Sequence, residues 1–286
     1  MQITVPAFPV AVDERMVKSK HRSAIRQYIK NNPTKWRIKL WVIADSANGY
    51  TYDFDVYAGK NAGQEVSPNG LGYDVVMRLV SSLMNQGYHL YFDNYYTSVQ
   101  LVQDLFKMEI PACGTASENR RGFPQSMKNG KQWAKGKERG SMRWEREGVY
   151  LALQWLDNRP VTMLSTIDSA NSFVLVDRKE QVNKWCNIKL KQPQAIHSYN
   201  QFMNGVDRSD QMLAQNSTLR KCLRWWKTLF FHMIDIALVN SCILFQFHRA
   251  QHPEVEELMQ PSRYSTSDFQ EELMINCMIE RGTHSA

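Results

Sequence analysis

Along the first third of the chain, short apolar runs alternate with polar turns, and the spacing within each run decides what it predicts. Positions 9–16 (PVAVDERM) read as a short strand that ends in acids, and 23–29 alternate weakly, as an edge strand does. Positions 38–44 (IKLWVIA) form a nearly continuous apolar run, the pattern of a buried strand. After a turn opened by Asp45 and closed by Gly49, positions 50–57 alternate aromatic and aliphatic residues with acids and read as the returning strand of a hairpin. Apolar residues at helical spacing predict a helix over 73–84, capped at Gln86 and Gly87. Positions 89–92 (HLYF) are another apolar strand, closing on Asp93. Thr97 or Ser98 then caps a helix over 99–106, and 110–115 form a short strand.

The texture changes after that. Positions 117–143 are polar, basic and without a clear period. Strands are expected at 146–155, 161–167 and 173–176, a helix over 198–215 with Gly205 inside it, and one long buried helix over 223–247. The order is strand, hairpin, helix, strand, helix, strand, a β-rich interruption, and two helices. That order predicts an α/β fold, a mixed sheet flanked by helices and split by a mostly β insertion. The expected segments are 1–116 for the first part of the core, 117–192 for the insertion and 193–250 for the helical completion. An acidic, poorly ordered tail is expected over 251–286, with a short helix near 269–279.

Composition narrows the class. With 286 residues, 43% apolar and 22% charged, the chain is ordinary globular material, and fibrous, coiled-coil and wholly disordered readings drop out. The net charge of +7 points mildly toward an anionic partner, with nucleic acid first. The excess is blocked: positions 13–39 hold nine Lys and Arg against two acids, and 118–147 hold nine against four. Five cysteines without a C-x-x-C pair suggest neither a disulfide framework nor a zinc module, so a reducing compartment is expected. The first residues lack the charge and apolar core of a signal peptide. The stretch 229–247 is apolar, but His232, Asp235, Asn240 and Gln246 make it a core helix rather than a membrane span.

The chemistry is expected among acids at strand ends, where open α/β sheets place their ligands. Asp13 follows Val10, Ala11 and Val12, and Asp93 follows His89, Leu90, Tyr91 and Phe92. Asp207 lies within a predicted helix, and Asp210 is one turn further on. Three converging carboxylates suit a site for two Mg²⁺ or Mn²⁺ ions, which prefer oxygen ligands and drive in-line phosphoryl transfer. Their carboxyl groups are then expected within roughly 4–8 Å of each other. Acids at strand ends are common, however, and Asp45, Asp53, Asp55, Asp74 and Asp177 match the same pattern as turn or surface residues.

Several segments resemble the catalytic domain of the piggyBac transposase family. They are Val12 to Met16, Arg22–Ser23, Pro33 to Trp36 with Ile38 to Trp41, Tyr91 to Ser98, and Tyr199–Asn200 through Gly205 and Asp207 to Met212. The resemblance covers roughly 9–248. It implies an RNase H-like core interrupted by a mostly β insertion, a nuclear protein, and cut-and-paste DNA transposition with divalent metal. In that reaction water nicks the transposon end, the freed 3′-OH forms a hairpin on the other strand, and the reopened end joins TTAA target DNA. The resemblance further implies a catalytic triad of Asp13, Asp93 and Asp207 with Asp210 as a further metal ligand, DNA as substrate, and a homodimer as the expected assembly. The pattern also departs from the family. His21 precedes Arg22–Ser23 where Gly is usual, Asn204 stands where Gly is common, and Ser117 replaces a basic residue. Because the resemblance begins at the first catalytic strand, the family's N-terminal segments and its C-terminal zinc domain are not expected, and no zinc site with them.

Lys18, Lys20 and Arg22, close behind the first Asp, are the foremost phosphate candidates. Arg120, Arg121, Lys128 and Lys131 follow, along with Lys135, Lys137 and Arg139. Trp133, Trp144 and Trp155 are candidates for stacking on an unpaired base, worth roughly 1–3 kcal/mol each, against the commoner role of packing. Trp225 and Trp226 are expected in the core beside a snorkelling Lys227. Two functions stay open: a transposase catalytic core, and a transposon-derived DNA-binding or interaction protein without activity.

Overall fold

The computed structural model describes residues 8–21, 23–30, 34–59, 66–181, 185–215, 217–220, 222, 224–258 and 264–283. In chain order the elements are β1 (Phe8–Lys18), β2 (Arg26–Tyr28), β3 (Trp36–Asp45), β4 (Thr51–Val56), α1 (Leu71–Leu79), β5 (Tyr88–Phe92), α2 (Val99–Lys107) and β6 (Ala112–Thr115). There follow α3 (Gly130–Trp133), β7 (Met142–Glu147), β8 (Tyr150–Leu156), β9 (Pro160–Ser165), β10 (Phe173–Gln181) and β11 (Trp185–Pro193). Four helices complete the chain: α4 (Gln194–Phe202), α5 (Gly205–Gln215), α6 (Trp225–Gln251) and α7 (Thr266–Thr283).

Nine strands form one mixed sheet in the order β2-β3-β1-β5-β6-β9-β8-β7, with β4 also on β3. β1 runs parallel to β5 and β5 to β6, while the remaining pairs are antiparallel. Helices cover both faces, as the order of elements predicts for an α/β fold. On one face Val10, Val12, Ile43, Leu90 and Phe92 pack with Val75, Val76 and Leu79 of α1 and Leu101, Val102 and Leu105 of α2. On the other, Val17, Leu40, Val42 and Ala44 meet Val206 of α5 and Leu229 of α6. Ser98 caps α2 by accepting from the Leu101 N–H at 3.2 Å.

Several elements differ from the sequence reading. The helix expected over 198–215 is two, α4 and α5, broken at Met203 and Asn204. Close packing at the break explains it: a Cβ on Gly205 would lie 3.0 Å from the Ala44 carbonyl oxygen and 3.1 Å from that of Asp45. The β-rich interruption is hydrogen-bonded into the main sheet through β9 on β6. β10 and β11 form a separate two-stranded ribbon that runs well past the expected strand at 173–176. The tail holds an eighteen-residue helix, α7, longer than expected, which meets α6 through the rings of Phe245, Tyr264 and Phe269.

α6 is where expectation and structure part most. Its Leu229, Ile236, Val239 and Ile243 are buried, but Trp225, Trp226, Phe230, Met233, Leu244 and Phe247 are exposed. The helix is amphipathic rather than buried all round, and Trp225 and Trp226 are surface residues, with Lys227 over the Trp226 ring. By length and composition it is apolar enough to cross a membrane, yet its inner face packs against α5 and the sheet. Of the thiols placed in this region, Cys242 is buried and Cys222 only partly so. Cys113 is also buried and Cys186 exposed, all four being free.

Candidate active site

The site grows from the period-two alternation of β1. Val10 and Val12 point into the core beneath α1 and α2, so Asp13 and Arg15 point to the opposite face, under α5. Val12 pairs with Phe92 across the parallel β1–β5 ladder. Asp13 on β1 and Asp93, the first residue past β5, thus each follow a paired position on neighbouring strands, which lie about 4.8 Å apart. Asp13 is half-buried and its Oδ1 accepts from the Glu14 N–H at 2.7 Å. Asp93 begins a tight turn: its Oδ1 accepts from the Tyr95 N–H at 2.8 Å, and its carbonyl accepts from Thr97 Oγ1 at 2.7 Å. That turn lies directly on β6. A Cβ on Gly114 would fall 2.4 Å from Thr97 Oγ1 and 2.7 Å from the Phe92 carbonyl oxygen, so only glycine fits there.

α5 brings the other two acids. Asp207 is in its first turn and exposed, while Asp210, one turn on, is held from below. Arg15 donates from Nε to Asp210 Oδ1 at 2.5 Å and from Nη2 to Ser209 Oγ at 2.7 Å. The guanidinium is 2% exposed. The Asp210 side chain is 39% exposed, so solvent screens the pair from that side, and removing Asp210 costs less than the about 3–5 kcal/mol of a fully buried pair while still leaving the Arg15 charge buried.

The electrostatics record crowding of like charges. Burial pushes the Asp13 carboxyl up to about 6, reinforced by Asp93, Glu14 and Asp207, against the Glu14 N–H, which lowers it. Asp93 is also raised, first by burial, with Glu14 adding to it and Lys39 opposing it. Burial, with Asp93 and Asp13 nearby, moves the Tyr199 phenol on α4 up to about 12. The donors here are hard oxygens with excess negative charge, which is the chemistry a divalent cation relieves. As the side chains stand, no group of three or more His, Cys, Asp or Glu among the described residues is gathered tightly enough to hold an ion.

The basic candidates divide into two places. Lys18 and Lys20 are exposed and line a cavity of about 380 Å³ with Ser19, Arg220 and Thr228. Arg22 lies outside the described residues. Lys131 lines a second, open cavity of about 740 Å³ with Ser117, Asn129 and Lys135. Arg121 is exposed and Lys128 half-buried. Arg120 points at the site itself: its Nη2 donates to the carbonyls of Asn94 at 2.6 Å and Tyr95 at 2.8 Å, bracing the Asp93 turn. Trp155 is buried with Nε1 donating to the Lys191 carbonyl at 2.9 Å, so it is a packing residue. Trp133 is covered by the Arg143 guanidinium, and Trp144 is exposed.

Sequence reasoning missed the bracing groups. Arg15 carries a usable signal, since it lies two positions from Asp13 and so shares its face. The Lys39–Glu14 ion pair and the Arg120 brace are set by pairing across the sheet and by the fold of the 117–122 loop, which no local spacing encodes. The alternative acids behave as turn and surface residues: Asp45 accepts from the Ala47 and Asn48 N–H groups, and Asp55 pairs with Arg78.

Three comparisons bear on this site. A family model described as Transposase IS4 matches residues 1–242. The human PiggyBac transposable element-derived protein 3 is 29% identical over 241 residues, 83% of this chain and 40% of that protein. The human PiggyBac transposable element-derived protein 2 is 28% identical over 235 residues, 80% of this chain and 38% of that protein. The chain therefore spans about two fifths of the length of these relatives. A solved piggyBac transposase synaptic complex with hairpin DNA superposes with a TM-score of 0.74 at 26% identity, covering 92% of this chain and 51% of that one.

Proposed function

We propose, from the premise that this chain belongs to the Transposase IS4 family and is of the piggyBac type, that it is a transposase catalytic core that cleaves and joins DNA strands. Asp13, Asp93 and Asp207 would hold two Mg²⁺ or Mn²⁺ ions. When bound, such a pair activates the attacking oxygen and stabilises the leaving oxygen of an in-line displacement at phosphorus. The observation that carries the reading is the Val12–Phe92 pairing of parallel β1 and β5, which puts Asp13 and Asp93 directly after it, with α5 crossing β1 beside them.

The chain's own residues supply position and charge. Asp13 must be ionised to serve, and with its carboxyl at about 6 it is so at neutral pH. Arg120 holds the Asp93 turn, and Lys39 balances Glu14 beside it. Lys18 and Lys20 on one side and Arg121, Lys128 and Lys131 on the other would take backbone phosphates, which fixes the strand without reading its sequence. Transposon ends are the substrate, TTAA-containing duplex the target, a second copy the partner that pairs two ends, and the nucleus the place of action.

A second reading, a transposon-derived DNA-binding protein without activity, is favoured by side chains that, among the described residues, do not gather three carboxylates tightly. Incubating the protein with hairpin and linear duplex DNA in Mg²⁺ or Mn²⁺ separates the two. The first reading expects metal-dependent nicking that is lost in Asp93→Asn. Salt-sensitive binding with no nicking in either metal decides for the second.

A further inference from the structure

The helix that carries Asp207 is tied to β1 through one buried guanidinium. Arg15 reaches from β1 to Asp210 Oδ1 and Ser209 Oγ, and Ser209 Oγ lies 3.0 Å from Thr51 Oγ1 on β4. Gly205 sets the start of α5 directly on the end of β3, so the helix has no room to slide there. All these contacts fall in the first two turns of α5, the turns that contain Asp207. Asp210, itself partly exposed, already gives one oxygen to the full positive charge of a buried guanidinium. Rotating Oδ1 toward a metal would take that bond from Arg15, and a cation on the other oxygen would share the carboxylate with a full positive charge, so Asp210 is the poorer donor of the two acids on α5. Asp207, exposed on the same helix, faces no such cost.

We infer that Asp210 is a positioning residue and not a metal ligand: through Arg15 it fixes α5, and with it Asp207, over β1 next to Asp13. Arg15 is the other half of the device. Only the metal readout below rests on the two-ion reading given above, and the positional claim has its own.

Four variants decide it: Arg15→Met, Asp210→Asn, Asp207→Asn, and the double variant Arg15→Met with Asp210→Leu. The last replaces the ion pair by apolar groups, with the larger Leu on the partly exposed side, a change that folds often tolerate. The readouts on the full chain are Mn²⁺ affinity by electron paramagnetic resonance and amide hydrogen exchange of α5. Arg15→Met and Asp210→Asn should speed α5 exchange and weaken Mn²⁺ binding roughly 10–100-fold, as loss of an outer partner does. Asp207→Asn should weaken Mn²⁺ at least as much while leaving α5 exchange unchanged. The double variant should restore both readouts nearly to wild type. Tighter Mn²⁺ binding in Arg15→Met would mark Asp210 as a ligand held in reserve and overturn the inference. So would a double variant that protects α5 yet binds Mn²⁺ as poorly as Asp207→Asn. If the double variant does not fold, Arg15→Lys, which keeps the charge but loses the fork, must still speed α5 exchange and weaken rather than strengthen Mn²⁺. If the wild-type chain binds no Mn²⁺, the two-ion reading fails by itself, and unchanged α5 exchange in Arg15→Met and Asp210→Asn overturns the positional claim.

Discussion

The two faces of β1 are made by the same eleven residues and do opposite work. Toward α1 and α2 the strand presents Val10 and Val12, fully buried in a dry cluster with Phe92, Leu101 and Leu105. Toward α5 it presents Asp13 and Arg15, a carboxylate raised by burial and crowding and a guanidinium held by Asp210. The dry face lowers the free energy of the fold. The polar face raises it at neutral pH, because Asp13 is ionised in a half-buried place beside Asp93, Glu14 and Asp207. A period of two lets one strand anchor the sheet and carry the site without compromise between the tasks.

Substitutions on the two faces should therefore move stability and activity in opposite directions. Asp13→Asn has the largest expected effect, reducing metal-dependent nicking below detection because a neutral amide is a poor Mg²⁺ ligand. The same change should raise the melting temperature of the metal-free protein at pH 7.5. Val12→Ala should do the reverse, lowering stability by roughly 2 kcal/mol from lost burial and the cavity left behind. Urea unfolding reads both, and a destabilised Asp13→Asn would erase the contrast.

Next in size is Gly114→Ala. The added methyl meets the Phe92 carbonyl and Thr97, so it should cost about 1–3 kcal/mol and shift the Asp93 turn. Mg²⁺ affinity by calorimetry should fall along with the melting temperature. Loss of stability with unchanged affinity would separate the turn from the site.

The pH dependence sharpens the same comparison. Asp13 has a folded-state value of about 6, above its ordinary 3.8, so the folded state binds its proton more tightly. Its contribution favours folding fully below 3.8 and is lost as pH rises through 6, on the order of 3 kcal/mol in all. Mg²⁺ should accordingly raise the melting temperature more at pH 7.5 than at pH 5. Equal stabilisation at both values would remove Asp13 from the ligand set.

The smallest effects lie away from β1. Lys18→Ala or Lys131→Ala should weaken binding to duplex DNA evenly across sequences and reduce the log–log salt slope by about one. Fluorescence anisotropy at several salt concentrations measures it. A loss confined to one DNA sequence would contradict a backbone contact.

What the sequence reveals follows this division. The run Val10, Ala11, Val12 and the run Leu90, Tyr91, Phe92 announce buried strands, and the acids after them announce the site, because both signals are local. The break before Gly205 is not local. Apolar spacing continues from Tyr199 to Leu213, and the break falls where the chain packs against the carbonyls of Ala44 and Asp45. The far half of β10, Asp177 to Gln181, is polar on both sides and shows no alternation to read. Likewise the Arg15–Asp210 bridge joins residues 195 positions apart, visible only once α5 is known to lie across β1.

The most direct test is an anomalous difference map from crystals soaked in Mn²⁺. Two peaks about 3.5–4 Å apart are expected among Asp13, Asp93 and Asp207, with Asp210 still bonded to Arg15. An empty map at occupancies that saturate other sites, or peaks bound by Asp210 in place of Asp207, would contradict this assignment.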